Sequence, residues 1–249
     1  MTAVALAATS HDTQARLAPA IARNGDLLRE LFAGIAINVT HSTHSDVVSV
    51  MRDRLGAQVI VHPQNEATIG RARRDAVRLA LEFAAPTILY CDFDHLLRWA
   101  EANPEELRAT LEAQPEAAFL VIGRSVKAFA AEPKRLQETE ILVNRVYTAM
   151  TGRDWDLMFA VRRISRAAAE QIVRSAKEDS IANDVEWPLL AERAGFRLGY
   201  AAADGLTYRT MEEFGAPADS GDARAENWIK RIELAALHAS AMRPYLRKD

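Results

Sequence analysis

Two carboxylates one residue apart, in Leu89-Tyr90-Cys91-Asp92-Phe93-Asp94, close an apolar run. At the exit of a buried strand, alternation puts both carboxylates on the same side. Carboxylates so placed bind a hard divalent cation, with phosphate oxygens and water completing its shell. Such a cation neutralises charge that develops on a departing diphosphate. An isolated Asp-x-Asp also occurs as two solvated acids in a strand-to-helix turn. Its place at the middle of a strand–helix alternation favours chemistry here.

Two further clusters carry charge in useful patterns. Gly70-Arg71-Ala72-Arg73-Arg74-Asp75-Ala76 opens a helix with clustered arginines. Helix N-termini bind anions through free N–H groups and the macrodipole, and arginine adds bidentate contacts to phosphate. Arg71 and Arg74 are the candidate contacts; the bland alternative is a glycine cap with a solvated basic face. Asn183-Asp184-Val185-Glu186-Trp187 places two acids at a helix start. One of them, Asp184 or Glu186, can take a proton from an attacking hydroxyl, and Trp187 can stack on a sugar face. The alternative is an Asp cap and a core tryptophan. Of the six histidines, His11, His41, His44 and His62 follow strand-like runs and His95 adjoins the aspartate pair. None has a spacing that demands zinc.

These residues need a scaffold that gathers them. Short apolar runs at Val4–Ala8, 35–39, 59–61, 87–91 and 118–122 alternate with helical patterns over 14–32, 46–55, 70–83 and 104–112. That alternation predicts an α/β fold with a mainly parallel sheet covered by helices on both faces. Polar residues collect after each strand, the edge where open α/β sheets bind ligands. One site is therefore expected from Thr9 to Asp12, His41 to Asp46, His62 to Asn65, Asp92 to Asp94, and Arg124. The second half predicts helices over 138–150, 165–173, 184–194 and 225–246, strands over 155–161 and 197–201, and a loop over 211–225. With no repeat or linker, one domain over 1–249 is expected. Residues 1–125 form its nucleotide-binding half and 126–249 an acceptor-side half ending in a helix.

Composition bounds the function. Lys and Arg total 31 against 34 Asp and Glu, a net charge of −3 in 249 residues. That balance argues against a nucleic-acid partner held by a strong positive field. One cysteine, Cys91, rules out an internal disulfide framework and fits a reducing, cytoplasmic setting. No run reaches the length of a membrane span, and the apolar start reads as a strand rather than a signal peptide. The apolar stripe of the last helix, with Trp228, Ile229, Ile232 and Leu237, packs on its own domain or serves a homodimer contact.

Together the Gly70–Arg74 helix opening, the Asp92-Phe93-Asp94 motif and the later Ser165-Arg166 and Asn183–Glu186 segments resemble the GT-A superfamily of nucleotide-diphospho-sugar glycosyltransferases, in the style of its family-two-like members. The resemblance spans roughly 4–208 and implies a Rossmann-like GT-A fold. It implies nucleotide binding by Thr9, Ser10 and His11 and by Thr40 through Ser42. It implies Mn2+ or Mg2+ on Asp92 and Asp94, bound to the diphosphate of a nucleotide-sugar donor, and Asp184 or Glu186 as base toward an unidentified acceptor. With Asp184 as base, the product inverts. The chain departs from the pattern in two places. Thr9-Ser10-His11-Asp12 replaces the usual Pro-x-Tyr-Asn-Glu opening, and Thr40 to Ser45 replaces the acidic run after the second strand. The Gln-x-x-Arg-Trp motif of processive polymerising members is missing. Two rivals are a non-catalytic binding protein of the same fold and a phosphohydrolase of the haloacid dehalogenase type with Asp92 as nucleophile. A nucleotidyltransferase would need a Gly-rich loop after the first strand, and 8–15 has no glycine.

Overall fold

The computed structural model describes residues 4–207 and 218–246. Seven strands form one sheet in the order β3-β2-β1-β4-β6-β5-β7. They are β1 (Val4–Ser10), β2 (Phe32–Thr40), β3 (Gln58–His62), β4 (Thr87–Tyr90), β5 (Phe119–Arg124), β6 (Val161–Ser165) and β7 (Leu198–Ala203). All pairings are parallel except those of β6, which runs antiparallel to both β4 and β5. β6 and β7 come from the second half of the sequence, so both halves build the same sheet.

Period-two alternation sorts each strand's side chains into two cores. Val4, Leu6 and Ala8 face one layer with Ile35, Ile37, Leu89, Leu120 and Ile122. There they meet α1 (Ala18–Leu31), α2 (Ser45–Leu55), α4 (Phe93–Ala102) and α5 (Pro104–Glu112). Ala5, Ala7, Ala36, Ile88 and Val121 face the other layer. It is made by α3 (Ile69–Ala80), α7 (Lys134–Thr151), α8 (Arg166–Ser175), α9 (Asn183–Arg193) and the end of α10 (Ala225–Met242). A one-turn helix, α6 (Val126–Ala130), follows β5.

The structure differs from the sequence expectation at the aspartate pair and at β6. Asp92 and Asp94 are not strand residues. β4 ends at Tyr90, Asp92 occupies the N-cap position of α4 without a side-chain cap bond, and Asp94 lies in its first turn. Phe93, Leu96, Leu97 and Ala100 supply the i, i+3, i+4, i+7 apolar face that buries this helix. The strand expected over 155–161 instead begins at Val161, because Arg162 and Arg163 enter it and are buried on carbonyl groups. Arg162 donates to the carbonyls of Leu157 and Asp184, and Arg163 to those of Leu111 and Gln114. The loop expected over 211–225 lies partly outside the described residues. Among the described residues, no helix is long and apolar enough to cross a membrane.

Candidate active site

The C-terminal ends of β1, β2 and β3 and the start of α4 open onto a cavity of about 290 Å3. Thr9, Ser10, His11, Thr40, His62, Ile69, Asp92, Asp94 and His95 line it. A second cavity of about 270 Å3, under the β1–α1 turn, shares His11 and Asp94 with it. Of the strand-end residues expected from the sequence, Thr9, Ser10, His11, Thr40, His62, Asp92 and Asp94 meet here, whereas His41 to Asp46 and Arg124 do not line the cavity.

Asp92 is the anchored member of the pair. Its Oδ1 accepts hydrogen bonds from the Thr9 hydroxyl at 2.8 Å and the Tyr90 hydroxyl at 2.6 Å. Its Oδ2 accepts from Arg73 Nη2 at 2.9 Å. Burial alone would raise the Asp92 pKa; Arg73, His95 and the two hydroxyls outweigh it and hold the carboxyl below its ordinary value. Burial and the neighbouring Asp92 charge push the Tyr90 hydroxyl well up, so it stays a donor. Asp94 sits two positions on, in the first turn of α4, with its side chain 39% exposed and Oδ2 3.9 Å from His95 Nε2. The N-terminus of α4 favours an anion there. His95 stacks on Phe159, with ring centroids 4.3 Å apart.

Arg73 joins two of the acidic motifs. Besides Asp92, its Nη1 donates to Asn183 Oδ1 at 3.1 Å and to Asp184 Oδ1 at 2.8 Å. Its own face of α3 is the buried one, shared with Ala76, Val77 and Ala80. Desolvation works against the charge, but Asp92 and Asp184 raise the Arg73 pKa above its ordinary value. The arginine that reaches the acids is thus Arg73, not Arg71 or Arg74, the contacts expected from the sequence. The available signal was its position three and four residues before the apolar Ala76 and Val77.

The neighbouring residues are placed away from the cavity. Arg74 donates to the Glu178 carbonyl and to Asp179 Oδ1, and Arg71 is exposed with its backbone N–H on the Asp179 carbonyl. Gly70 is required because a Cβ there would lie 2.2 Å from the Ser180 carbonyl oxygen. This basic turn thus clasps the loop before α9, and neither Arg71 nor Arg74 lines the cavity. Ser42 stands beside it, donating to Gln64 Oε1 at 2.7 Å.

Asp184 is 3% exposed and does not line the cavity. Arg73 covers Oδ1, and Oδ2 lies 3.8 Å from Nε2 of the buried His238. Its carbonyl would be orphaned by Pro188, four residues on and without an N–H; Arg162 Nη2 donates to it at 3.1 Å. Glu186 is also buried, accepting from the backbone N–H groups of Lys177 and Glu178. Burial raises its pKa and those two N–H groups oppose the rise. Trp187 is 1% exposed and meets Tyr90 edge-to-face at 5.6 Å. It is a core residue, unavailable for stacking on a sugar. Arg124 is likewise buried, among Glu132, Glu140 and Asp156.

A divalent ion was expected on the aspartates. Among the described residues, no three His, Cys, Asp or Glu side chains are grouped to hold one, and both Asp92 oxygens already hold protein donors. Ions of the magnesium type take one or two carboxylates and fill their shell with water and substrate phosphates. The donor set fits an ion that arrives with a diphosphate and meets Asp94 first. It does not form a ready-made cage.

No family model matches the sequence, and no curated protein is similar to it. Solved structures are similar in fold. Glucosyl-3-phosphoglycerate synthase from Mycobacterium tuberculosis, in complex with uridine diphosphate, superposes with a TM-score of 0.55 at 11% identity, over 93% of this chain and 80% of that one. The same enzyme with Mn2+, uridine diphosphate and phosphoglyceric acid gives 0.53 at 11% identity, over 93% and 78%. The chain has the GT-A fold. The mainly parallel sheet with helices on both faces is what the sequence pattern implied.

Proposed function

We propose that this GT-A chain is a glycosyltransferase that takes a sugar from a nucleotide-diphosphate donor. One observation carries the reading: the ends of β1 and β2, the last residue of β3 and the Asp92–Asp94 turn converge on a single cavity. Strand ends holding a nucleotide and paired acids near its diphosphate fit that donor class. The structural neighbour has been solved with Mn2+, UDP-glucose and phosphoglyceric acid bound, which supports the same donor class and a divalent ion here.

Thr9, Ser10, His11 and Thr40 supply hydroxyl and imidazole groups to the nucleotide. Asp94 is the open carboxylate for Mn2+ or Mg2+, with Asp92 behind it. When bound, the ion offsets charge on the leaving diphosphate. Asp92 fixes the Thr9 and Tyr90 hydroxyls, and Arg73 fixes Asp92. Asp184 and Glu186 act as positioning residues, the first on Arg73 and the second on the 177–178 backbone. The base role expected of them requires an open carboxylate, and both are enclosed. The acceptor enters from the Asp94 side, where the two cavities meet.

The enclosure of Asp184 and Glu186 also favours a second reading, a GT-A binding protein that holds the nucleotide-sugar without transferring it. Nucleotide release from UDP-glucose and GDP-mannose with MnCl2, against an acceptor panel, separates the two. Acceptor-dependent release lost in Asp94→Asn supports the transferase. Binding without release supports the binding protein. Absence of both refutes the donor site.

A further inference from the structure

His62, the last residue of β3, lines the cavity at the end remote from the aspartates. Its Nδ1 lies 2.9 Å from Asn38 Oδ1. The Asn38 amide cannot be turned to reverse that bond, because its Nδ2 donates to the Ala72 carbonyl at 2.9 Å. An amide oxygen only accepts, so the proton is on His62 Nδ1 and the other ring nitrogen, Nε2, is left with a lone pair. Burial, the largest influence, holds the His62 pKa below its ordinary value and so favours the neutral ring, against the Asp75 charge and a ring hydrogen bond to the Val39 backbone. Asn38 is 1% exposed, so the lock is itself fixed.

The position of that lone pair matters. The sheet order places β3 three strands from β4, a span of ~14 Å. A ligand whose diphosphate meets the Asp92–Asp94 turn must cross β1 and β2 to reach β3, so its far end, the base, is what meets His62. Ser10 Oγ, on that path and lining the same cavity, is buried without a protein partner.

The geometry points to His62 as the residue that selects the nucleobase of the donor: its Nε2 accepts the ring N–H of a lactam base, uracil in the first place, and rejects a base with a lone pair at that position. This rests on the proposed nucleotide-sugar reading.

Calorimetry with UDP, CDP and N3-methyluridine diphosphate in MnCl2 tests it, on wild type and on His62→Phe, with melting temperatures to confirm folding. Wild type should bind UDP ~10–100-fold more tightly than either of the other two, the ratio expected when a buried acceptor loses its donor. In His62→Phe that ratio should collapse toward one, chiefly by loss of UDP affinity. Equal binding of UDP and N3-methyluridine diphosphate by wild type overturns the assignment without any variant. So does a preference that survives His62→Phe. If wild type binds none of the three, the donor reading fails and the base selection fails with it; tight binding without discrimination removes His62 alone.

Discussion

Removing Arg73 is the sharpest perturbation the structure offers. Its guanidinium bridges Asp92 and Asp184 at 2.9 and 2.8 Å, with side-chain exposures of 5%, 20% and 3% for the three residues. In Arg73→Met the buried methylene stem is largely kept while both carboxylates lose their counter-charge. Leaving a buried charge uncompensated costs about 3–5 kcal/mol. For a chain of this length that lowers Tm by roughly 10 °C. The pH dependence has a definite sign. With Arg73 present, the folded-state pKa of Asp92 is depressed. Asp92 therefore contributes stability above its unfolded pKa, and that contribution is lost as pH falls through the folded value. Without Arg73 burial dominates, the Asp92 pKa rises, and the variant should regain part of its deficit toward pH 4–5. Urea unfolding at pH 7 and pH 5 measures both. A loss under 1 kcal/mol at pH 7, or a deficit that does not shrink on acidification, would refute the bridge. Arg73→Lys keeps one charge but not the fork, and should fall between wild type and Arg73→Met.

Three other outcomes follow from particular contacts. Glu132 is buried beside Arg124, and burial, aided by Glu140, raises its pKa to about 7. The rise from 4.5 to about 7 corresponds to about 3 kcal/mol. A raised carboxyl stabilises below its unfolded pKa and loses that contribution as pH climbs through 7. Wild type should thus weaken between pH 5 and 8, and Glu132→Gln should flatten that slope in a series of melting curves. Gly70→Ala forces its Cβ onto the Ser180 carbonyl; an overpacking loss of about 1–3 kcal/mol is expected, and an unchanged urea midpoint would contradict the close approach. Asp94→Asn should lower Tm by no more than about 4 °C, since the side chain is 39% exposed and a first-turn carboxylate contributes about 0.3–1 kcal/mol; a larger drop would show that it holds the fold rather than a ligand.

The sheet was legible because its strands are short apolar runs between periodic helices, and the polar residues at their ends pointed to the strand-end cavity that forms the candidate site. Roles inside the site were harder to read. Asp184 and Glu186 look alike in sequence to open carboxylates; only tertiary packing shows Arg73 on one and two backbone N–H groups on the other. The three arginines of 71–74 differ only in which face of α3 they occupy. Its buried stripe of Ala72, Ala76, Val77 and Ala80 takes in Arg73 and excludes Arg71. The strand expected over 155–161 is displaced to Val161–Ser165 because buried arginines satisfied by carbonyl groups break the apolar run that marks a central strand. The lock on His62 depends on Asn38 and Ala72, which lie on two other elements, and no local pattern records it.

The central claim is that the Asp92–Asp94 turn and the strand-end cavity together hold a nucleotide diphosphate with its metal ion. Titrating UDP into wild type and Asp94→Asn, each with Mn2+ and with EDTA, tests it most directly. The structure predicts binding that Mn2+ tightens at least ~10-fold in wild type, with that metal-dependent gain lost in Asp94→Asn. Binding that Mn2+ does not change, or a gain that persists in Asp94→Asn, would contradict it.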